Sequence, residues 1–159
     1  MAATASISSR PADADDLVFL AASHRLGHSA VEDERGGRLD ILLRGRPEPI
    51  EDSFSASLDD DANTVLVGEV NGMAVGYLAL SIETLRSEEL ICRVTDLWVH
   101  PEARGVGVGA LLMRAGSAIA TAHECVGIDA RALPGDRVTK NFFESFGLVA
   151  RAIEVHKAL

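Results

Sequence analysis

A chain of 159 residues, 47% of them hydrophobic and 25% charged, carries enough apolar material for one sizeable core and is expected to form a single domain over 1–159. Its net charge of −9 repels nucleic acid and anionic membrane surfaces, so neither is an expected partner. Cys92 and Cys125 are too few for a disulfide framework, and their spacing gives no metal motif. The opening MAATASISSRPAD has no basic n-region and no apolar h-region, and apolar runs such as 73–80 fall far short of the roughly 18 residues a membrane span needs. A cytoplasmic protein with reduced thiols and no bound metal is the expectation. The charge is uneven: residues 1–95 hold 8 Lys/Arg against 17 Asp/Glu, while residues 96–159 hold 7 of each. The acidic half could attract a cationic amine or simply form a solvated surface.

In chain order, residues 4–9 alternate around Ile7 and predict a first strand. Pro11, Asp13, Asp15 and Asp16 mark a turn with helix-capping aspartates, after which Leu17, Leu20, Ala21 and His24 share a helical face. His24 and His28 stand four apart, a chelating spacing, yet no third ligand lies near them in sequence, and solvent-facing or core histidines explain them as well. Residues 32–62 are polar and interrupted by glycine and proline, with a short helix over 38–44 and a helix or loop over 51–61. A strand over 64–70, the turn Asn71-Gly72 and a strand over 73–82 form a hairpin. The strand 90–99 ends at Pro101, which has no N–H to donate to a ladder. Leu111, Leu112, Ala115, Ala118 and Ile119 then repeat at helical spacing. Residues 125–133 predict another strand, Asp136 caps a helix reaching Phe146, Gly147 ends that helix, and 148–155 predict a closing strand. The order implies an α/β fold with a mixed, mostly antiparallel sheet and helices on its faces.

The chain is organised around residues 94–120, where strand, Pro101, glycine loop and helix follow one another. Glycines in Arg104-Gly105-Val106-Gly107-Val108-Gly109 let a ligand approach the backbone closely. The first amides of the following helix lack internal partners and carry the positive end of the helix dipole, which suits a phosphate or pyrophosphate. A tight strand-to-helix turn that binds nothing is the plainer alternative. A P-loop is excluded because Val108-Gly109-Ala110 lacks the Gly-Lys-Ser/Thr ending. Gly105, Gly107 and Ala110 formally fit a dinucleotide fingerprint, but residues 101–104 separate them from the strand, and only 50 residues follow Gly109.

Arg104, Gly107 and Gly109 match the Gln/Arg-x-x-Gly-x-Gly/Ala signature of the GNAT superfamily of N-acetyltransferases, and the preceding Asp-Leu-Trp-Val-His-Pro strand end is similar to theirs. The resemblance covers the chain from about Thr64 onward. It implies a GNAT-like fold, a mixed, mostly antiparallel sheet flanked by helices on both faces, and transfer of an acetyl group from acetyl-coenzyme A to a primary amine of a small molecule or peptide. In such proteins the loop holds the pyrophosphate and the strand edge pairs with the pantetheine arm. That maps cofactor binding onto Leu97, Trp98, Val99, Arg104, Gly105, Val106, Gly107, Val108, Gly109 and Ala110, with the Val99 amide as donor to the developing oxyanion. The resemblance also brings Asp136 and Asn141 toward the cofactor. Homodimers are common in the family, although no residue here demands one. A non-catalytic acyl-coenzyme A-binding or interaction module is the rival.

Amine acetylation needs a base, because a lysine-like amine is protonated at neutral pH. Asp96, on the strand that leads to the loop, could deprotonate or orient the amine, or be a structural carboxylate bonded to a neighbouring loop. By alternation it shares a face with Val94 and Trp98. Glu83, near the end of its strand, is the second candidate, and Tyr77 could donate a phenolic proton or merely pack. Where many relatives carry a tyrosine that protonates the leaving thiolate, this chain has Phe143, which has no proton to give; Phe142, Phe143 and Phe146 are expected to pack in the core.

Overall fold

Asn71 and Gly72 take positive φ of 51° and 79°, the conformation a two-residue hairpin requires, and join β2 (Asn63–Val70) to β3 (Met73–Thr84) as expected. The structure is a computed structural model and describes residues 5–159, so Thr4 of the expected first strand lies outside the described residues. β1 (Ile7–Pro11) pairs antiparallel with β2, β3 pairs antiparallel with β4 (Leu90–Val99), and β5 (Ile128–Asp129) runs parallel to β4. Among the described residues the sheet has five strands in the order β1-β2-β3-β4-β5. Between β1 and β2 come α1 (Leu17–Val31), α2 (Gly37–Arg44) and α3 (Ile50–Leu58); α4 (Val108–Ala122) precedes β5, and α5 (Arg137–Glu144) follows it. No helix among the described residues is long and apolar enough to cross a membrane.

Strand alternation divides the core in two. One face packs Leu66, Leu78, Leu80, Cys92 and Val94 beneath Leu112 and Met113 of α4 and Phe143 of α5. The other packs Val65, Val67, Tyr77 and Ala79 beneath Leu20 of α1 and Ile50 and Phe54 of α3. α4 lies close to the sheet because Gly68 and Gly116 leave room. A Cβ at Gly68 would meet Val108 Cγ1 at 2.6 Å, and one at Gly116 would meet Leu78 Cδ2 at 2.7 Å.

Three expectations are corrected. Val94 does not share a face with Asp96, since Leu80 pairs with Val94 and Ala79 with Asp96, leaving Thr95 as an extra residue in a bulge. The bulge turns Val94 toward α4 and leaves Asp96 facing α1. The strand expected over 125–133 shrinks to Ile128–Asp129: Cys125 N still bonds Ala120 O at the end of α4, and only Val126 to Asp129 run beside β4. Residues 148–155 form no strand. Val149, Ile153 and Val155 stand 82%, 86% and 93% exposed, and the segment is tied down by ion pairs, Arg151 to Asp129 and Glu154 to Arg44 and Arg131. Apolar alternation makes a strand only where a neighbour supplies ladder partners.

Candidate active site

The turn after β4 is shaped by its own side chains and backbone. His100 accepts the Glu102 amide at 3.3 Å and caps a short 3-10 turn over Pro101–Ala103. Arg104 Nε then donates to Val99 O at 3.0 Å, folding the loop back on the strand. Gly105 and Gly107 have φ of 83° and 102°, a region where side chains are strained, and Gly107 begins α4 without any side-chain cap. The amides of Val108, Gly109 and Ala110 thus open α4 with no intrahelical acceptor, beside the exposed Val106. A Cβ on Gly109 would lie 3.6 Å from both Val99 Cγ2 and Phe142, so the helix start abuts the end of β4.

The outer edge of β4 is open beyond Arg93, where pairing with β5 stops. His100 N donates inward to Val75 O at 2.7 Å. Antiparallel ladders alternate in direction, so the Leu97 and Val99 amides point outward along that edge. Trp98 turns its ring the other way, against Gly27 of α1 and edge-on to His100. Leu97, Val99, Arg104 and the backbone of 105–110 are therefore brought together. Asp136 is occupied as the N-cap of α5, accepting from Thr139 N at 2.9 Å, and Asn141 is exposed on the same helix. Phe143 sits in the core at 7% exposure, and Phe142 and Phe146 pack against the same core, as expected for the three phenylalanines.

On the opposite face Asp96 is the centre of a buried polar cluster. Its Oδ2 accepts from Arg46 Nη2 at 3.0 Å, Arg46 Nε at 3.2 Å and Thr95 Oγ1 at 3.0 Å. Its Oδ1 lies 3.0 Å from His24 Nδ1 and 3.5 Å from Tyr77 Oη. Burial alone would raise the carboxyl pKa, but the His24 hydrogen bond and the Arg46 charge outweigh it and hold it below the ordinary 3.8. So Asp96 is a fixed anion with its lone pairs engaged, suited to orienting neighbours more than to accepting a proton. Arg46 is locked in turn by Ser57 Oγ at 2.9 Å and by the Phe54 ring, 4.0 Å away. The Tyr77 phenol is held well above its usual 10, chiefly by burial and then by the Asp96 charge.

Glu83 is not part of this cluster. It bonds Arg93 at 2.7 Å and 3.0 Å and lies opposite Ile91, four residues along β3 from Ala79, the partner of Asp96. That is roughly 13 Å of strand. His24 and His28 do come together, with ring centroids 3.9 Å apart, but no group of three or more potential metal ligands occurs among the described residues. Sequence reasoning missed Arg46 altogether: it lies in a Gly/Pro-rich segment with no periodicity, 50 residues from Asp96.

A family model described as the acetyltransferase (GNAT) family matches residues 31–148. The chain belongs to the GNAT family. An N-acetyltransferase of Archaeoglobus fulgidus, named as uncharacterized, is 32% identical over 106 residues, covering 65% of this chain and 67% of that protein. The crystal structure of a tetramutant of the BH1408 protein from Bacillus halodurans superposes with a TM-score of 0.81 at 24% identity, covering 96% of this chain and 99% of the other. An aminoglycoside acetyltransferase from an uncultured soil sample, solved with sisomicin, gives 0.72 at 18% identity over 96% and 95%. These structural likenesses establish the GNAT fold, with its mixed sheet and flanking helices, as that of this chain.

Proposed function

We propose that the protein is an acetyl-coenzyme A-dependent N-acetyltransferase that acetylates a primary amine of a small molecule or peptide by direct transfer. The observation that carries this is the uncapped start of α4, reached through two positive-φ glycines, beside the open edge of β4. A diphosphate fits there because Val106, Gly107, Val108, Gly109 and Ala110 present amides with no Cβ over Gly105 and Gly107. Leu97 and Val99 offer outward amides to an extended amide-bearing arm and to a carbonyl that gains negative charge. Arg104 fixes the loop against Val99. Bound there, acetyl-coenzyme A supplies an activated acyl carbon; the protein holds it in line with the amine and removes the amine's proton. That one structural relative was solved with an aminoglycoside supports a small polyamine among the acceptors to be tried.

The non-catalytic acyl-coenzyme A-binding module has one observation in its favour, the buried Phe143, which offers no proton to a thiolate. Thiol release separates the two readings: an enzyme frees coenzyme A when given acetyl-coenzyme A and an amine, and a binding module does not. Calorimetry tests the cofactor placement directly. Wild type is expected to bind acetyl-coenzyme A, and Gly107→Glu, which sets a strained carboxylate where the diphosphate belongs, to lose that binding. Unchanged binding in the variant would remove the loop from the site.

A further inference from the structure

His24 is 2% exposed, and its Nε2 has no hydrogen-bond partner, while Nδ1 faces Asp96 Oδ1 at 3.0 Å and Tyr77 Oη at 3.2 Å. Buried polar atoms almost always find partners, so an orphan of this kind marks either a water site or a chemical role. The ring also lines a cavity of about 320 Å³ with His28, Glu32, Arg46, Glu48 and Ile50. A carboxylate on Nδ1–H fixes the tautomer and leaves the lone pair on Nε2. Asp96, already neutralised by Arg46, holds the ring without needing to take a proton itself. His28, whose ring lies 3.9 Å from that of His24, has its pKa pushed below 6.5 by burial and then by His24, so it adds little positive charge beside the base.

We propose that His24 Nε2 is the general base of the transfer, that Asp96 is its positioning residue, and that the acceptor amine enters through this cavity. The proposal rests on the amine-acetylation reading. Val99, whose amide faces the open edge of β4 and would meet the carbonyl, stands three residues beyond Asp96, so the carbonyl position and the anchor of the base lie on the same strand. In the step, the amine nitrogen bonds to the acyl carbon and the thioester C–S bond breaks. The ammonium first gives one proton through Nε2 to solvent. As the C–N bond forms a second amine proton passes to Nε2, and coenzyme A leaves as a thiolate that takes that proton from the imidazolium or one from water.

The test pairs His24→Asn, which keeps a donor toward Asp96 but removes Nε2, with Asp96→Asn. Each is assayed by thiol release with propylamine, tyramine, spermidine and an alanyl peptide across pH 5–9. His24→Asn is expected to lower kcat about 100-fold or more and to abolish the acidic limb of kcat/KM, with acetyl-coenzyme A binding by calorimetry unchanged. Asp96→Asn is expected to lower kcat less and to shift that limb rather than remove it. Near-wild-type turnover by a folded His24→Asn, or an intact acidic limb, overturns the base while leaving the acetyl-coenzyme A reading standing. Wild type that binds the thioester yet frees no thiol with any amine overturns both. Should His24→Asn not fold, ¹⁵N NMR of the imidazoles in the wild-type protein decides: a proton on Nδ1 with Nε2 bare is expected, and a proton on Nε2 overturns the proposal.

Discussion

The two faces of the sheet are built on opposite plans. Under α4 and α5 every buried side chain of the core cluster is apolar, and what that side offers a ligand is backbone: an uncapped helix start and an open strand edge. Under α1 and α3 an apolar core of similar make-up encloses Asp96, Arg46, His24 and Tyr77, and what it offers is side-chain chemistry. The bulge at Thr95 is where the two plans meet, because it turns Val94 to one face and leaves Asp96 on the other. Backbone recognition needs no buried charge, whereas the side-chain cluster holds the Asp96 carboxylate and neutralises it with Arg46. That difference should appear as a difference in how each face fails.

The largest effect belongs to the charged face. Arg46→Met removes the cation that neutralises Asp96 and leaves its carboxylate held by His24, Tyr77 and Thr95 without that counter-charge, at an expected cost of about 3–5 kcal/mol. Denaturant melts should show the loss greatest at neutral pH. In the wild type the lowered Asp96 pKa means that stability is present above pH 3.8 and falls away as acid protonates the folded state. Without Arg46 burial dominates, the folded pKa rises, and the penalty should shrink as pH falls through it. On the apolar face Leu112→Ala, fully buried, should cost about 3 kcal/mol through the cavity it leaves, and by the same amount at pH 5 and pH 8. A pH-dependent Leu112→Ala, or a pH-independent Arg46→Met, would break the contrast between the faces.

The same contrast explains what the sequence discloses. Pro101, Gly105 and Gly107 impose their geometry locally, so the loop and its helix are legible from residue type alone. So are the Asn71-Gly72 hairpin and the Phe143 core position. The polar cluster is assembled across the fold: Arg46 meets Asp96 from 50 residues away and Tyr77 meets His24 from 53. No spacing rule links such residues, and a histidine pair at i, i+4 looks like a metal site or an ordinary helix face until the sheet is placed beneath it. The face of Val94 depended on a bulge that alternation cannot foresee. The expected closing strand failed for a related reason, since pairing is a property of two segments and 148–155 pairs with no neighbour among the described residues.

Tyr77→Phe is a finer probe of the charged face. At neutral pH it removes a hydroxyl 3.2 Å from His24 Nδ1, and a loss of about 1 kcal/mol is expected. Its larger signature is alkaline. The folded phenol is held well above 10, so the wild type keeps this stability below pH 10 and loses it as pH rises and the unfolded chain ionises first. Thermal melts of Tyr77→Phe should lack that alkaline decline. An unchanged decline would mean that other groups govern it and that Tyr77 is packing alone.

The smallest effect tests where the charged site ends. Glu83 is a carboxylate on the same sheet, and its pKa is lowered by the Arg93 hydrogen bond, which makes it resemble Asp96 on charge alone. Its side chain is 46% exposed, however, and solvent screening reduces such a pair to less than about 1 kcal/mol. Glu83→Gln should therefore shift a denaturant midpoint barely, and kcat for any accepted amine should stay within twofold of wild type. A tenfold drop in kcat would extend the reactive region some four residues down β3, beyond the bulge. The division of labour between a backbone face and a side-chain face centred on Asp96 would then have to be redrawn.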